Sequence, residues 1–156
     1  MDQKIKTQDA LAKISSGLRR KNKVVVFTNG CFDILHVGHI TYLKKAKKLG
    51  DVLVVGLNSD SSVRAIKGRS RPINKQADRA EVLSALYFVD YITIFTGETP
   101  ETLINVLKPD VLVKGADWKV GDIVGAKFVR SYGGKVMRIP FVKGHSTTSV
   151  IKKMGN

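Results

Sequence analysis

The chain has 156 residues, a mass of 17.1 kDa, 43% hydrophobic residues and a formal charge of +14 at pH 7. That apolar share excludes a disordered chain and suffices for a buried core, while no apolar run reaches the ~18 residues of a membrane span. The single cysteine, Cys31, excludes an internal disulfide and makes a reducing cytoplasm the expected compartment.

In chain order, residues 1–22 read as a polar lead-in and a helix over 7–20, with Leu11, Ile14 and Leu18 on one face. Nothing there has the form of a signal peptide. The apolar run 24–27 is a first strand. A short polar turn and His36-Val37-Gly38-His39 follow it, then a helix over 40–49 closed by Gly50. Residues 51–57 form a continuous apolar strand, the pattern of a buried parallel sheet. A short helix over 60–66 leads to a basic loop, 67–75, which contains Gly68 and Pro72. Then come a helix over 76–85, a strand over 91–95 and a helix over 99–107 with Pro100 at its first position. A strand over 111–113, a helix over 123–132, a strand over 135–139 and a helix over 146–154 complete the chain. This alternation predicts an α/β fold: a doubly wound, Rossmann-like parallel five-stranded sheet with helices on both faces, in one domain spanning 1–156. Ligands of such sheets lie beyond the strand carboxyl ends at a switch point. The turns after the first, fourth and fifth strands meet there.

The segment from Phe27 to His39 carries the chemistry. A helix start presents free N–H groups and a positive dipole end, which suit phosphate. His36 and His39, one helical turn apart, add two donors, and Gly38 leaves room for a close-lying phosphate. The site reads as one for a nucleoside triphosphate attacked at its α-phosphate. A metal fragment is the competing reading, but further ligands of zinc type are missing nearby, so no metal residue is assigned. Cys31 has no Cys-His-Asn order behind it and serves as a small turn residue. The charge of +14 fits a field for phosphorylated substrates. No zinc finger, RNP motif or aromatic basic stripe supports specific nucleic-acid binding.

These residues resemble the nucleotidylyltransferase superfamily, whose mark is His-x-Gly-His in a doubly wound sheet. Asn29-Gly30-Cys31-Phe32-Asp33 and the distal Gly-x-Ser-Thr-Thr are similar to the cytidylyltransferase-like branch. Lys67-Gly68-x-Ser70-Arg71-Pro72, Leu112-Val113-Lys114-Gly115-x-Asp117 and Ser146-Thr147-Thr148 resemble the adenylyltransferase half of the bacterial ADP-heptose synthases. The resemblance runs from about residue 7 to the end, without a sugar-kinase domain. It implies transfer of AMP from ATP to a heptose 1-phosphate, with Mg²⁺ accompanying ATP, in a homodimer; neither a specific nucleic acid nor a membrane is an expected partner. The alternatives are a cytidylyltransferase acting on glycerol 3-phosphate or another phosphorylated acceptor, and a non-catalytic nucleotide- or RNA-binding module. One departure stands out: where the glycerol-phosphate enzymes carry an Arg ahead of Ser-Thr-Thr, this chain has Phe141, so a cation there is absent or is supplied by Lys143.

Roles follow from the chemistry of in-line attack on phosphorus. His36 and His39 donate to the triphosphate. Thr28, Asn29, Gly30, Cys31 and Phe32 line the nucleotide with backbone groups, and Asp33 either caps the turn or binds substrate. Lys67, Arg69 and Arg71 clamp phosphates from a mobile loop, or form a solvated basic loop. Arg79 matches the family's motif arginine and reads as a phosphate ligand, against an ion pair with Asp78 or Glu81. Beside Lys114 and Gly115, Asp117 and Trp118 hold the ribose and wall the base, unless the Trp is structural. Ser146, Thr147 and Thr148 take the β- and γ-phosphates, or merely cap the last helix.

Overall fold

The computed structural model describes residues 3–155; positions 1, 2 and 156 of the expected 1–156 span lie outside the described residues. The elements are α1 (Gln8–Arg20), β1 (Val25–Gly30), α2 (Val37–Lys47), β2 (Val52–Asn58), α3 (Asp60–Lys67), α4 (Gln76–Ser84), β3 (Tyr91–Phe95), α5 (Glu101–Leu107), β4 (Val111–Gly115), α6 (Ala126–Ser131), β5 (Lys135–Ile139) and α7 (Thr147–Met154). The five strands form one parallel sheet in the order β3-β2-β1-β4-β5. The order reverses between β1 and β4, so the switch point lies where their carboxyl ends part.

Side-chain alternation sends β1 and β2 residues to two separate cores. Val26, Leu53, Val55 and Leu57 pack with Tyr42, Leu43 and Ala46 of α2 and with Ala80 and Leu83 of α4. Val25, Phe27 and Val54 pack with Leu11 of α1, Leu103, Ile104 and Leu107 of α5, and Ala126 and Val129 of α6. Helices therefore cover both faces, as parallel strands require. Gly56 makes room for the Phe27 ring: a Cβ there would lie 2.8 Å from its Cζ.

The outer edge of β3 is covered by the lead-in. Lys6 N–H donates to the Ile92 carbonyl at 2.8 Å, and Ile92 N–H donates to that of Lys4 at 2.9 Å. At the amino ends of the strands three aspartates make reciprocal clips to a neighbouring strand. Asp110 donates its N–H to the Val25 carbonyl at 2.9 Å, and its carboxylate accepts the Val25 N–H at 2.8 Å. Asp90 does the same with Leu53, at 3.0 and 2.7 Å, and Asp51 with Val24, at 2.9 and 2.8 Å.

Several element boundaries correct the sequence reading: β1 runs to Gly30 rather than 27, α2 begins at Val37 rather than 40, and β4 runs to Gly115 rather than 113. The expected helix over 123–132 is shortened to α6, Ala126–Ser131, and a separate 3-10 turn, Val120–Asp122, precedes it. Gly125 separates them at φ +85, a left-handed conformation that glycine adopts without strain, and a Cβ there would also strike Ile104 at 2.8 Å. Pro100 is the residue before α5 rather than its first turn. No helix among the described residues is long and apolar enough to cross a membrane.

Candidate active site

The site grows from the end of β1. That strand runs to Gly30, and α2 begins at Val37, so Gly38 and His39 lie in the first helical turn. His36 is the N-cap. Its Nδ1 accepts the Gly38 N–H at 3.1 Å, which places the proton of the neutral ring on Nε2. The His36 and His39 rings stack with centroids 3.9 Å apart, and Phe32 meets His39 edge-on at 5.2 Å. Gly38 leaves room for the imidazole itself: a Cβ there would lie 2.9 Å from the His36 ring and 3.3 Å from the Cβ of His145.

Three buried polar atoms at this spot have no partner among the described residues: Asn29 Oδ1, His36 Nε2 and His39 Nδ1. A folded protein rarely leaves buried polar groups unpaired, so such a cluster is a candidate place for a ligand or ordered water. Burial pushes the His39 pKa down to about 4, helped by His36 and opposed by a hydrogen bond to the Ile34 backbone. His36 is lowered too, by burial and then by His145. Without ligand both rings are neutral at pH 7.

The other walls come from the turns after β4 and β5. Lys114, at the end of β4, holds its Nζ 5.3 Å from the centre of the half-exposed Trp118 ring. Burial lowers its pKa, while Asp117 pulls it back up. Gly115 lets Phe141 close over the crevice; a Cβ there would lie 2.3 Å from the Phe141 ring and 2.8 Å from Asp117 Oδ1. The Phe141 ring stacks at 6.3 Å on Tyr42. Ser146 caps α7 and exchanges reciprocal hydrogen bonds with Ser149, so Thr147 and Thr148 open the helix. The structure thus brings Asn29, Gly30, His36, Gly38, His39, Lys114, Gly115, Asp117, Trp118 and the Ser146–Thr148 turn to one end of the sheet.

Other expected ligands have different duties. Arg79 is 2% exposed and faces inward. Its guanidinium donates to the carbonyls of Cys31 at 2.6 Å, Asn58 at 2.8 Å and Asn74 at 3.0 Å, and pairs with Asp60 at 2.9 Å. This corrects the reading of Arg79 as a phosphate ligand: with four donors engaged by the protein, it ties the β1 turn, the β2 end and the 71–75 segment together. The ion pair is with Asp60, not Asp78 or Glu81.

Asp33 is 3% exposed and accepts from Arg71 Nε at 2.8 Å and from the N–H groups of Ile73 and Asn74. Burial works to raise its pKa, but the Asn74 and Ile73 amides and Arg71 outweigh it and hold the carboxyl below its ordinary range. It anchors the basic segment rather than binding substrate, and it takes one side of Arg71 with it. The expected mobile span of 67–75 shrinks accordingly: Lys67 ends α3, residues 71–74 are tied to Asp33, and Gly68, Arg69 and Ser70 are left exposed. Thr28 is fully buried in β1, its hydroxyl bonded to Tyr42 at 2.8 Å and to the Val113 carbonyl at 3.0 Å, so it supports the site from beneath. Phe32, 7% exposed at φ +44, buttresses His39. Burial raises the Cys31 thiol pKa against the lowering charges of Lys67, Arg79 and Arg71, which fits a turn residue and not a nucleophile.

One residue escaped the sequence reading. His145 stacks on His36 with ring centroids 6.5 Å apart. Its signal was its place directly ahead of Ser-Thr-Thr. Among the described residues no group of three or more His, Cys, Asp or Glu side chains is arranged to hold a metal ion.

Comparison with known proteins agrees with this fold. The cytidylyltransferase-like family pattern matches residues 27–153. The bifunctional protein HldE of Geobacter metallireducens is 54% identical over 98% of this chain, and that of Campylobacter jejuni subsp. doylei is also 54% identical over 98%. The chain spans about a third of the length of these curated relatives, 31% and 32% respectively. Among solved structures, a lipopolysaccharide core biosynthesis protein from Thermoplasma volcanium is 35% identical, with a TM-score of 0.61, over 79% of this chain and 99% of that one. A pantoate-beta-alanine ligase from Francisella tularensis, 19% identical with a TM-score of 0.63 over 96% of this chain and 72% of that one, shares the fold. With the family pattern covering the sheet, the histidine turn and the final helix, the chain belongs to the cytidylyltransferase-like family.

Proposed function

We propose that this chain is a nucleotidylyltransferase that transfers AMP from ATP to a heptose 1-phosphate, giving an ADP-heptose and pyrophosphate. The observation that carries the reading is the cluster of unpartnered buried atoms at the start of α2, Asn29 Oδ1, His36 Nε2 and His39 Nδ1. It lies at the switch point and faces the start of α7. The sugar and the base rest on the resemblance to the ADP-heptose synthases and on the relatives' printed names. A homodimer working in the cytoplasm belongs to the same proposal.

The reaction is a displacement at the α-phosphorus. A phosphate oxygen of the sugar 1-phosphate forms the new O–P bond as the bond to the β-phosphate bridging oxygen breaks. Pyrophosphate leaves with that electron pair. The attacking phosphate is already ionised, so no general base is needed. The chain's work is to orient the reactants and to stabilise charge. His36 Nε2–H points a donor at the transferred group. His39, neutral without ligand, gains a proton when polyanionic phosphate arrives, because nearby negative charge favours the imidazolium. Lys114 and Trp118 bound the nucleoside side, and Lys67 and Arg69 offer charge at the rim. The donor set is mainly imidazole, amide and ammonium, with Asp33 consumed internally and Asp117 beside Lys114. Mg²⁺, supplying charge neutralisation, would therefore be held by phosphate oxygens and water.

Pyrophosphate release tests the proposal, measured with ATP and CTP against heptose 1-phosphate and glycerol 3-phosphate. Turnover should be confined to ATP with heptose 1-phosphate and should stop on adding EDTA. Preference for CTP with glycerol 3-phosphate would overturn the assignment.

A further inference from the structure

The chain contains three histidines, and all three lie in one column of rings. His39 stacks on His36 at 3.9 Å, and His36 faces His145 at 6.5 Å with only 25° between ring planes. His36 and His39 come from the start of α2, whereas His145 comes from the turn after β5. Gly144, at φ +82, bends that turn, and the His145 N–H donates to the Val142 carbonyl at 3.3 Å. Ser146 then caps α7. The two helix starts approach so closely that a side chain on Gly38 would meet the His145 Cβ at 3.3 Å.

The His145 side chain is exposed, unlike the buried inner edges of the other two rings. Phe141, in the same segment, offers a ring to Tyr42 and no donor. The His145 imidazole therefore stands exposed across a gap from His36, whose Nε2 is buried and has no partner among the described residues. Both walls of that gap are helix N-termini, where anions are favoured.

We infer that His145 is a third phosphate-binding imidazole, which holds the β,γ end of the triphosphate and then the departing pyrophosphate between α2 and α7. This rests on the nucleotidyl-transfer reading but adds a residue and a role to it. The contact exists both in bound ATP and in the product, so it is uniform binding: it sets KM and product affinity more than kcat.

The test uses the full chain with magnesium pyrophosphate as the probe. With one resonance set per histidine, imidazole ¹⁵N NMR reports on each ring separately. Pyrophosphate should shift the His145 and His36 resonances together. His145→Ala should weaken pyrophosphate binding and raise KM for ATP about tenfold, with kcat changed far less, as expected for loss of one charge-assisted hydrogen bond. His145→Gln keeps one donor and should recover part of the loss. Because the side chain is exposed, both variants should melt as the wild type does. Shifts at His36 without shifts at His145, or an alanine variant with wild-type pyrophosphate affinity, would overturn the inference. If His145 responds to pyrophosphate but no sugar 1-phosphate is turned over, the acceptor assignment fails and the third imidazole stands. If no histidine responds, both fail.

Discussion

His36 and His39 differ in what each contributes to the fold, and that difference makes their variants distinguishable. His36 caps α2 as well as facing the gap. His36→Ala should cost about 1 kcal/mol of stability as a lost N-cap, and His39→Ala should leave the cap in place. Each should lower kcat by ~10²–10³, the scale of a lost transition-state donor. Wild-type turnover in either variant would remove it from the mechanism. His39 also makes stability depend on pH. Its folded pKa is about 4, below the unfolded value near 6.5, so between these values the unfolded chain binds the extra proton. Stability is therefore present above pH 6.5 and is lost as pH falls toward 4, by about 3 kcal/mol over that window. Denaturant melts of wild type and His39→Gln across pH 7 to 4.5 should show a flatter dependence in the variant. Equal slopes would remove His39 as the source. The sequence made the two histidines readable because a strand, a turn and a helix start bracket them. It did not reveal that Nδ1 of His36 is spent on its own helix, which depends on a rotamer.

At the scale of elements, alternation of apolar runs with helical stretches was enough to give the sheet, its parallel sense and the crevice. Tyr91–Phe95 and Lys135–Ile139 have the bounds that their β-branched and apolar content suggests. Arg79 and Asp33 were harder, since both look like ligands in a list of charged residues near a phosphate motif. Their true partners, the Cys31 and Asn58 carbonyls and the amides of Ile73 and Asn74, are backbone groups far away in sequence. No pattern of side chains announces a backbone partner. The Asp33 tie leads to a specific outcome. Asp33→Ala should cost about 3 kcal/mol, as for breaking a buried charge pair, and should free the 71–74 segment. Hydrogen exchange should then show slow Ile73 and Asn74 amides in the ligand-free wild type and fast ones in the variant. Fast exchange in both would mean that the tie does not hold in solution. Residues 68–70 should gain protection only with nucleotide and sugar phosphate bound.

For the whole molecule, 27 basic and 13 acidic residues leave a charge of +14. Five of the acids, Asp33, Asp51, Asp60, Asp90 and Asp110, are held in contacts to backbone amides or to Arg79. The remaining field favours any polyanion. ATP should associate faster at low salt, and nucleic acid should bind weakly, without sequence preference and with steep salt dependence. Filter binding against duplex and single-stranded DNA over a salt series checks this; tight, sequence-selective binding at physiological salt would point to a nucleic-acid module instead. The three aspartate clips have a mechanical consequence. Each fastens one strand crosswise to its neighbour by two bonds at the end away from the histidines, and a slip of one residue would break the clip and turn apolar side chains to the wrong face. The sheet is thus stitched at its base, and at its mouth β1 is tied to β2 through Arg79 while its pairing with β4 ends at Phe27 and Leu112. Motion during turnover should be a small opening between the paired β1–β2 tips and the paired β4–β5 tips about that fixed base, with the two helix starts moving apart and together.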